Sequence, residues 1–251
     1  MTTRYKADFI RLFNSFSGKH SRHELFSDFV SMATAAIHNP IRPDQSLEDN
    51  YMRIVKRYNQ AELQLHTEMI AATVMGLDYA PCDFLGDVFM SLELGNAKAG
   101  QFFTPYCVSQ MMAKLTFSPE EMLGSKPFIR LHDPACGAGS LPIAYFELMR
   151  EEGFNPQQQL WMQCWDIDAR AAEMCFIQLA LLHVPAEIVI GNSLSLDVTR
   201  ILRTPAHYLS NWDHRLKDQE ESSAVVQSPK SWEVGTVLDM FGQHELPPAT
   251  G

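Results

Sequence analysis

The chain has 251 residues, of which 46% are hydrophobic and 20% charged, a composition typical of a globular protein with a sizeable core. Its formal net charge is −10 and its Lys and Arg residues form no large cluster, which argues against a protein that binds duplex DNA without a partner. No apolar run approaches the roughly 18 residues that span a bilayer, and the N-terminus lacks a signal-peptide core. We therefore expect a cytoplasmic protein that makes no membrane contact.

The five cysteines are scattered and never form a CxxC pair, which favours free thiols over a disulfide frame or a metal site. Apolar residues recur at helical spacing through residues 5–95, for example at Phe9, Phe13 and Phe16. Further helical patterns cover about 25–37, 47–59, 60–76 and 83–94. The sequence therefore predicts an all-α N-terminal region over residues 1–98.

A different pattern begins near residue 99. Thr104 and Pro105 suit a helix start, with a hydroxyl N-cap followed by proline, and this helix should run to about Phe117. Short apolar strands then alternate with helices near 140–152 and 169–182, which predicts a parallel sheet of Rossmann-like type over residues 99–213. The predicted strands are Phe128–His132, Leu160–Trp165 and Glu187–Ile190. The polar residues 214–251 are expected to form a poorly ordered tail.

A glycine-containing loop follows the first predicted strand, in the run Asp133-Pro-Ala-Cys-Gly-Ala-Gly-Ser140. Gly137 and Gly139 would let the backbone approach a ligand, and the next helix would offer free N–H groups at the same place. In a parallel sheet the carboxyl end of such a strand is where ligands bind. A dinucleotide site would need a third glycine where this chain has Pro142, so the loop indicates another ligand. Alone, it is also compatible with a simple strand-to-helix turn.

Polar residues follow the second and third predicted strands. Asp166 ends the second strand and could accept both hydrogen bonds from a ribose diol, whereas Asp168 is better explained as the N-cap of the following helix. Asn192 follows the third strand, where its amide could meet an adenine edge or simply serve a turn.

Four motifs in order resemble the N-6 adenine DNA methylases, in particular the M subunits of type I restriction–modification systems. Residues 83–90 resemble the segment before the catalytic domain of that family. Residues 100–105 (Gly-Gln-Phe-Phe-Thr-Pro) resemble motif X, and the glycine loop resembles motif I. Residues 165–168 (Trp-Asp-Ile-Asp) resemble motif II, and residues 190–193 (Ile-Gly-Asn-Ser) resemble motif III.

The resemblance implies S-adenosylmethionine as the cofactor and a role for each matching residue. Phe103 and Thr104 would contact its methionine end. Asp133, near the ligand's amino group, would shape the floor of the pocket with Ala135, Gly137 and Gly139. Asp166 would hold the ribose. Asn192 would contact the adenine amino group, at a position where the family usually has Asp.

The catalytic residues are not identified. The family uses an (Asn/Asp/Ser)-Pro-Pro-(Tyr/Phe/Trp) loop after strand four to present a flipped adenine, and these 251 residues contain no such tetrad. Residues 234–238 could form strand four and cover the edge of strand one, unless another chain covers it. Residues 237–241 also resemble a clamp-binding peptide, although an edge-covering strand is the better interpretation.

Two main hypotheses follow from the sequence. The first is a methyltransferase that uses S-adenosylmethionine to methylate adenine N6 in DNA, with a partner specificity subunit supplying much of the grip on DNA. The second is a catalytically inert cofactor-binding or decoy subunit that engages a restriction–modification or anti-restriction complex. Methylation of a substrate other than DNA is a third, weaker hypothesis. A homo-oligomer or hetero-oligomer could cover the open sheet edge.

Overall fold

The computed structural model of the protein describes residues 2–95, 103–124 and 126–227. Residues up to Trp212 form one compact unit, and those from Asp213 onward belong to a second. The predicted boundary at residues 98 and 99 lies outside the described residues and stays a prediction. Among the described residues, no helix has the length and apolar character needed to cross a membrane.

Five helices form the N-terminal region, which confirms the all-α prediction. Asp44 caps α3 through its side chain, and Asn59 begins α4 with a reciprocal capping box that includes Glu62. Phe9 is fully buried and lies edge-on to Phe29, with ring centroids 5.1 Å apart. The helices are α1 (Thr2–Asn14), α2 (Arg22–His38), α3 (Gln45–Val55), α4 (Gln60–Tyr79) and α5 (Phe84–Ser91).

The following segment carries a four-stranded sheet in the order β1-β2-β3-β4. The first three strands are parallel, as predicted, and the fourth is antiparallel to β3. The strands are β1 (Ile129–Asp133), β2 (Leu160–Asp166), β3 (Ala186–Asn192) and β4 (Asp197–Arg203). The helices are α6 (Tyr106–Thr116), α7 (Pro119–Leu123), α8 (Ser140–Glu151), α9 (Pro156–Gln159), α10 (Ala169–Leu181), α11 (Pro205–Leu209) and α12 (Trp212–Gln227).

The two predicted regions share one hydrophobic core. Helix α10 packs on β2 and β3 with one face and on α2 with another. Buried residues of the helical region, such as Phe26, and of the sheet, such as Ile188, belong to the same cluster. This arrangement is a reduced Rossmann-like α/β fold preceded by an all-α region, because parallel strands are joined by helices that cover the sheet.

Three features differ from the sequence-based expectations. Helix α6 begins at Tyr106 with Pro105 as its N-cap, so Thr104 lies outside the helix and does not cap it. Strand β4 was not predicted, because Leu202 is its one buried apolar residue and the strand lacks an alternating pattern. Helix α12 extends over part of the predicted tail, where Lys, Gln and Glu favour helix. The candidate strand 234–238, the peptide 237–241 and the rest of the tail lie outside the described residues.

Candidate cofactor site

The loop between β1 and α8 has a backbone that only glycine adopts easily. Gly137 has φ +56° and Gly139 has φ +99°, and Gly139 is the N-cap of α8. A Cβ on Gly137 would lie 3.0 Å from the ring of Phe103, and one on Gly139 would lie 3.0 Å from the Sγ atom of Cys175. Any other residue at these two positions would therefore strain the backbone and crowd Phe103 or Cys175 at the carboxyl end of β1.

Asp166 fixes this loop from the neighbouring strand. Its Oδ2 atom accepts a hydrogen bond from the Gly137 N–H at 2.8 Å, and its Oδ1 atom accepts one from the Asp168 N–H at 2.9 Å. A carboxylate offers about four lone-pair directions, so capacity remains for hydroxyl groups of a ligand. Asp168 caps α10 by accepting the Arg170 N–H at 2.9 Å, which confirms the role that the sequence favoured for it.

Asp133 brings a second carboxylate to the same sheet edge. Its Oδ1 atom accepts a hydrogen bond from the Ala135 N–H at 3.1 Å. Burial, together with the nearby Cys164 thiol, raises the pKa of Asp133 to about 6, and burial also raises the pKa of Asp166. Both carboxyls are half-buried, and each would gain from a cationic ligand that offsets its desolvation.

Phe103 and Thr104 adjoin this loop, and their contact with the methionine end of the cofactor stays a prediction. The Phe103 ring contacts Gly137 on one side and lies edge-on to Phe89 on the other, with centroids 5.3 Å apart. The carbonyl of Thr104 accepts a hydrogen bond from the Ser140 hydroxyl at 3.3 Å. The segment before α6 is thus joined to the start of α8, and the Phe103 ring forms an apolar wall beside the glycines.

Asn192 differs from the other predicted residues. It ends β3, but its Oδ1 atom accepts a hydrogen bond from the Leu194 N–H at 2.9 Å and closes the turn into β4. An adenine amino group would have to share this oxygen with the turn. The adenine contact of Asn192 therefore stays a prediction.

Two residues near the loop were not identified from the sequence. Ile167 lies between Asp166 and Asp168 and is 73% exposed, which leaves an apolar side chain beside the carboxylate. Gln178 is fully buried in α10 and donates a hydrogen bond to the Ala138 carbonyl at 2.7 Å. The only sequence signal for a role of Gln178 was that it is the one polar residue in the apolar stretch at the end of α10.

The residues present fit S-adenosylmethionine. Its carboxylate and polar atoms suit the half-buried backbone of the loop at Gly137, and its ammonium and sulfonium suit the carboxyls of Asp133 and Asp166. Its ribose diol suits the free lone pairs of Asp166, and its rings and chain suit the apolar surfaces of Phe103 and Ile167. Among the described residues, no cluster of His, Cys, Asp and Glu could hold a metal ion.

A Rossmann-like sheet with this glycine loop and these carboxylates is the arrangement expected of an S-adenosylmethionine-dependent methyltransferase. A search against protein-family models matches residues 83–234 to the N-6 DNA Methylase family, which is more than half of the chain. The chain therefore belongs to the N-6 DNA methylase family, and its cofactor is S-adenosylmethionine.

Among solved structures, a chain from Listeria monocytogenes assigned as a class I S-adenosylmethionine-dependent methyltransferase is similar to this one at 13% sequence identity and a TM-score of 0.42. The match covers 76% of this chain and 55% of that structure. A search of curated proteins found no match.

Proposed function

We propose that this chain supplies the cofactor-binding half of an adenine-N6 DNA methyltransferase of the restriction–modification type. The observation that carries the proposal is the bond from the Gly137 N–H to Asp166, because it brings together the glycine loop and a carboxylate that would both contact the cofactor. The family match over residues 83–234 supports DNA adenine as the acceptor.

The residues of the site act on the cofactor by binding and orienting it. S-adenosylmethionine, when bound, supplies an electrophilic methyl group on its sulfonium. Asp133 would hold the amino group as an ion pair, and Asp166 would hold the ribose diol. Phe103 would exclude water from the loop. Holding both ends of the cofactor fixes the direction in which its methyl group is presented.

The acceptor in this proposal is the exocyclic amine of an adenine flipped out of the duplex. Binding of duplex DNA is driven largely by neutralisation of phosphates, and a chain of net charge −10 is poorly suited to supply that alone. We therefore propose that a partner subunit supplies most of the contacts to DNA, and that this subunit selects the target site.

The inert-subunit hypothesis is retained as an alternative, because one observation favours it. The 251 residues contain no (Asn/Asp/Ser)-Pro-Pro-(aromatic) tetrad, which is the loop that presents the adenine amine in the family. In that case the chain would bind the cofactor and engage a restriction–modification or anti-restriction complex without transferring the methyl group.

A transfer assay distinguishes the two functions. Purified protein is incubated with tritiated S-adenosylmethionine and DNA from a strain that lacks N6-methyladenine, and the DNA is digested to nucleosides. Label in N6-methyl-2′-deoxyadenosine above that of an Asp166→Ala control supports the methyltransferase. Calorimetric binding of the cofactor without any labelled nucleoside, both for the chain alone and with a partner specificity subunit added, supports the inert subunit. Failure to bind the cofactor at all would overturn both.

A further inference from the structure

Both the NH2 group and the oxygen of the Gln178 side-chain amide form hydrogen bonds within the protein. The residue is fully buried in α10. Its Nε2 atom donates to the Ala138 carbonyl at 2.7 Å and to the Oδ1 atom of Asp83 at 2.9 Å, and its Oε1 atom accepts the Leu85 N–H at 3.0 Å. A buried amide with both donors and its acceptor engaged fixes the relative positions of three backbone segments.

Asp83 anchors this amide at the start of α5. Its side chain is buried and also accepts the Gly86 N–H at 2.9 Å, which caps the helix. A Cβ on Gly86 would run into the Asp83 carboxyl, so glycine is required there. Burial raises the pKa of Asp83 to about 6, although the hydrogen bonds from Gln178 and from the Gly86 N–H oppose this rise. The carboxyl is thus held in place by two donors despite its burial.

Ala138 lies between the two glycines whose backbone forms the cofactor loop. Glycines lose more conformational freedom on ordering than other residues, so such a loop needs fixed contacts to keep one shape. Asp166 holds the loop by the N–H of Gly137, and Gln178 holds it by the carbonyl of Ala138. The two side chains reach the loop from β2 and from α10, respectively.

We propose that Gln178 is a positioning residue of the cofactor loop, and that its bonds to Asp83 and Leu85 make helix α5 a structural part of the cofactor site. The inference deepens the proposed function and rests on cofactor binding at this loop. The family match, which begins at residue 83, includes this anchor.

The test compares two glutamines that each donate to a carboxyl. Gln178→Met removes the three hydrogen bonds at similar volume, whereas Gln163→Met removes the bond from Gln163 to Glu187 at 2.9 Å, which does not touch the loop. Calorimetric titration with S-adenosylmethionine should give a Kd about tenfold higher for Gln178→Met, with thermal unfolding of both cofactor-free variants recorded. Because pre-organisation of a site lowers the entropy lost on binding, the change should be in Kd. The Kd of Gln163→Met should stay within twofold of the unmodified protein.

An unchanged Kd in folded Gln178→Met would overturn the inference, whereas absence of binding by the unmodified protein would instead overturn the proposed function.

Hydrogen exchange in the unmodified protein tests the same inference if the variant does not fold. The Leu85 and Leu47 N–H groups both donate to side-chain oxygens at helix starts, Leu47 to Asp44 at 3.2 Å. Saturating cofactor should slow hydrogen exchange at Leu85 at least fivefold more than at Leu47. Equal slowing at both would count against the link between α5 and the loop.

Discussion

The loops that follow β1 and β3 lie at the carboxyl ends of two parallel strands on either side of β2, yet they are built differently. The loop after β1 is held by side chains distant in sequence, Asp166 and Gln178. The loop after β3 is closed by its own first residue, Asn192, and exposes Leu194 to 95%. Distant contacts fix a backbone shape that no local turn requires, which is typical of a pre-formed ligand site. The local bond of Asn192 in the loop after β3 is explained by the turn into β4 alone and does not indicate a ligand site.

The largest effect is expected at the most constrained position of the first loop. Gly139→Ala introduces a Cβ at φ +99° and 3.0 Å from the Cys175 Sγ atom. Strain and overpacking together should lower the free energy of unfolding by about 3 kcal/mol and abolish cofactor binding. Gly153→Ala is the matched control, because Gly153 has φ +82° and no atom within 4 Å of an added Cβ. It should lose about 1 kcal/mol. Equal losses in denaturant unfolding would show that the loop is not packed tightly.

The second effect concerns the two acids that follow β2. Asp166→Ala removes the proposed acceptor for the ribose and the acceptor for the Gly137 N–H, so the Kd for S-adenosylmethionine should rise about 100-fold, which corresponds to about 2.7 kcal/mol. Asp168→Ala removes the cap of α10 and the ion pair with Arg170 at 3.5 Å, and it should lower stability by about 1 kcal/mol, with the Kd within twofold. Calorimetry and thermal unfolding measure the two quantities. A larger rise in Kd for Asp168→Ala than for Asp166→Ala would reverse the assignment.

The sequence predicted those parts of the fold that depend on local pattern. The three parallel strands and the helices around them follow from apolar periodicity, and the two glycines identify the loop because no other residue suits its backbone. Gln178 could not be assigned a role, because its partners Asp83 and Ala138 lie far away in sequence. Strand β4 was missed because pairing with β3, rather than burial of an apolar face, stabilises it. The motif-based role of Asn192 likewise carries no information on whether its amide is already engaged.

A smaller effect is expected from pH, through Asp133. Its pKa is raised to about 6 by burial, above the ordinary value of 3.8, so its contribution to stability is greatest at acid pH and is lost as the pH rises through 6. Cofactor binding should change in the opposite direction, because the ionised carboxyl pairs with the ammonium group. Between pH 5 and 7 the affinity should increase about tenfold and then level off. Asp133→Asn should reduce this dependence in titrations at pH 5, 6, 7 and 8. A variant with the full pH dependence would assign it to Asp166, whose pKa burial also raises.

The smallest effect is expected in the loop after β3. Asn192→Ala removes the acceptor for the Leu194 N–H, so stability should fall by about 1 kcal/mol, while the Kd for the cofactor should change less than threefold. Asn192→Asp keeps an acceptor at this place, so it should retain the stability and serves as the control. If Asn192→Ala instead raised the Kd by 30-fold or more at unchanged stability, its amide oxygen would leave the turn to bind adenine. The two loops would then form one site that the cofactor completes, and the contrast between them would hold only for the protein without its ligand.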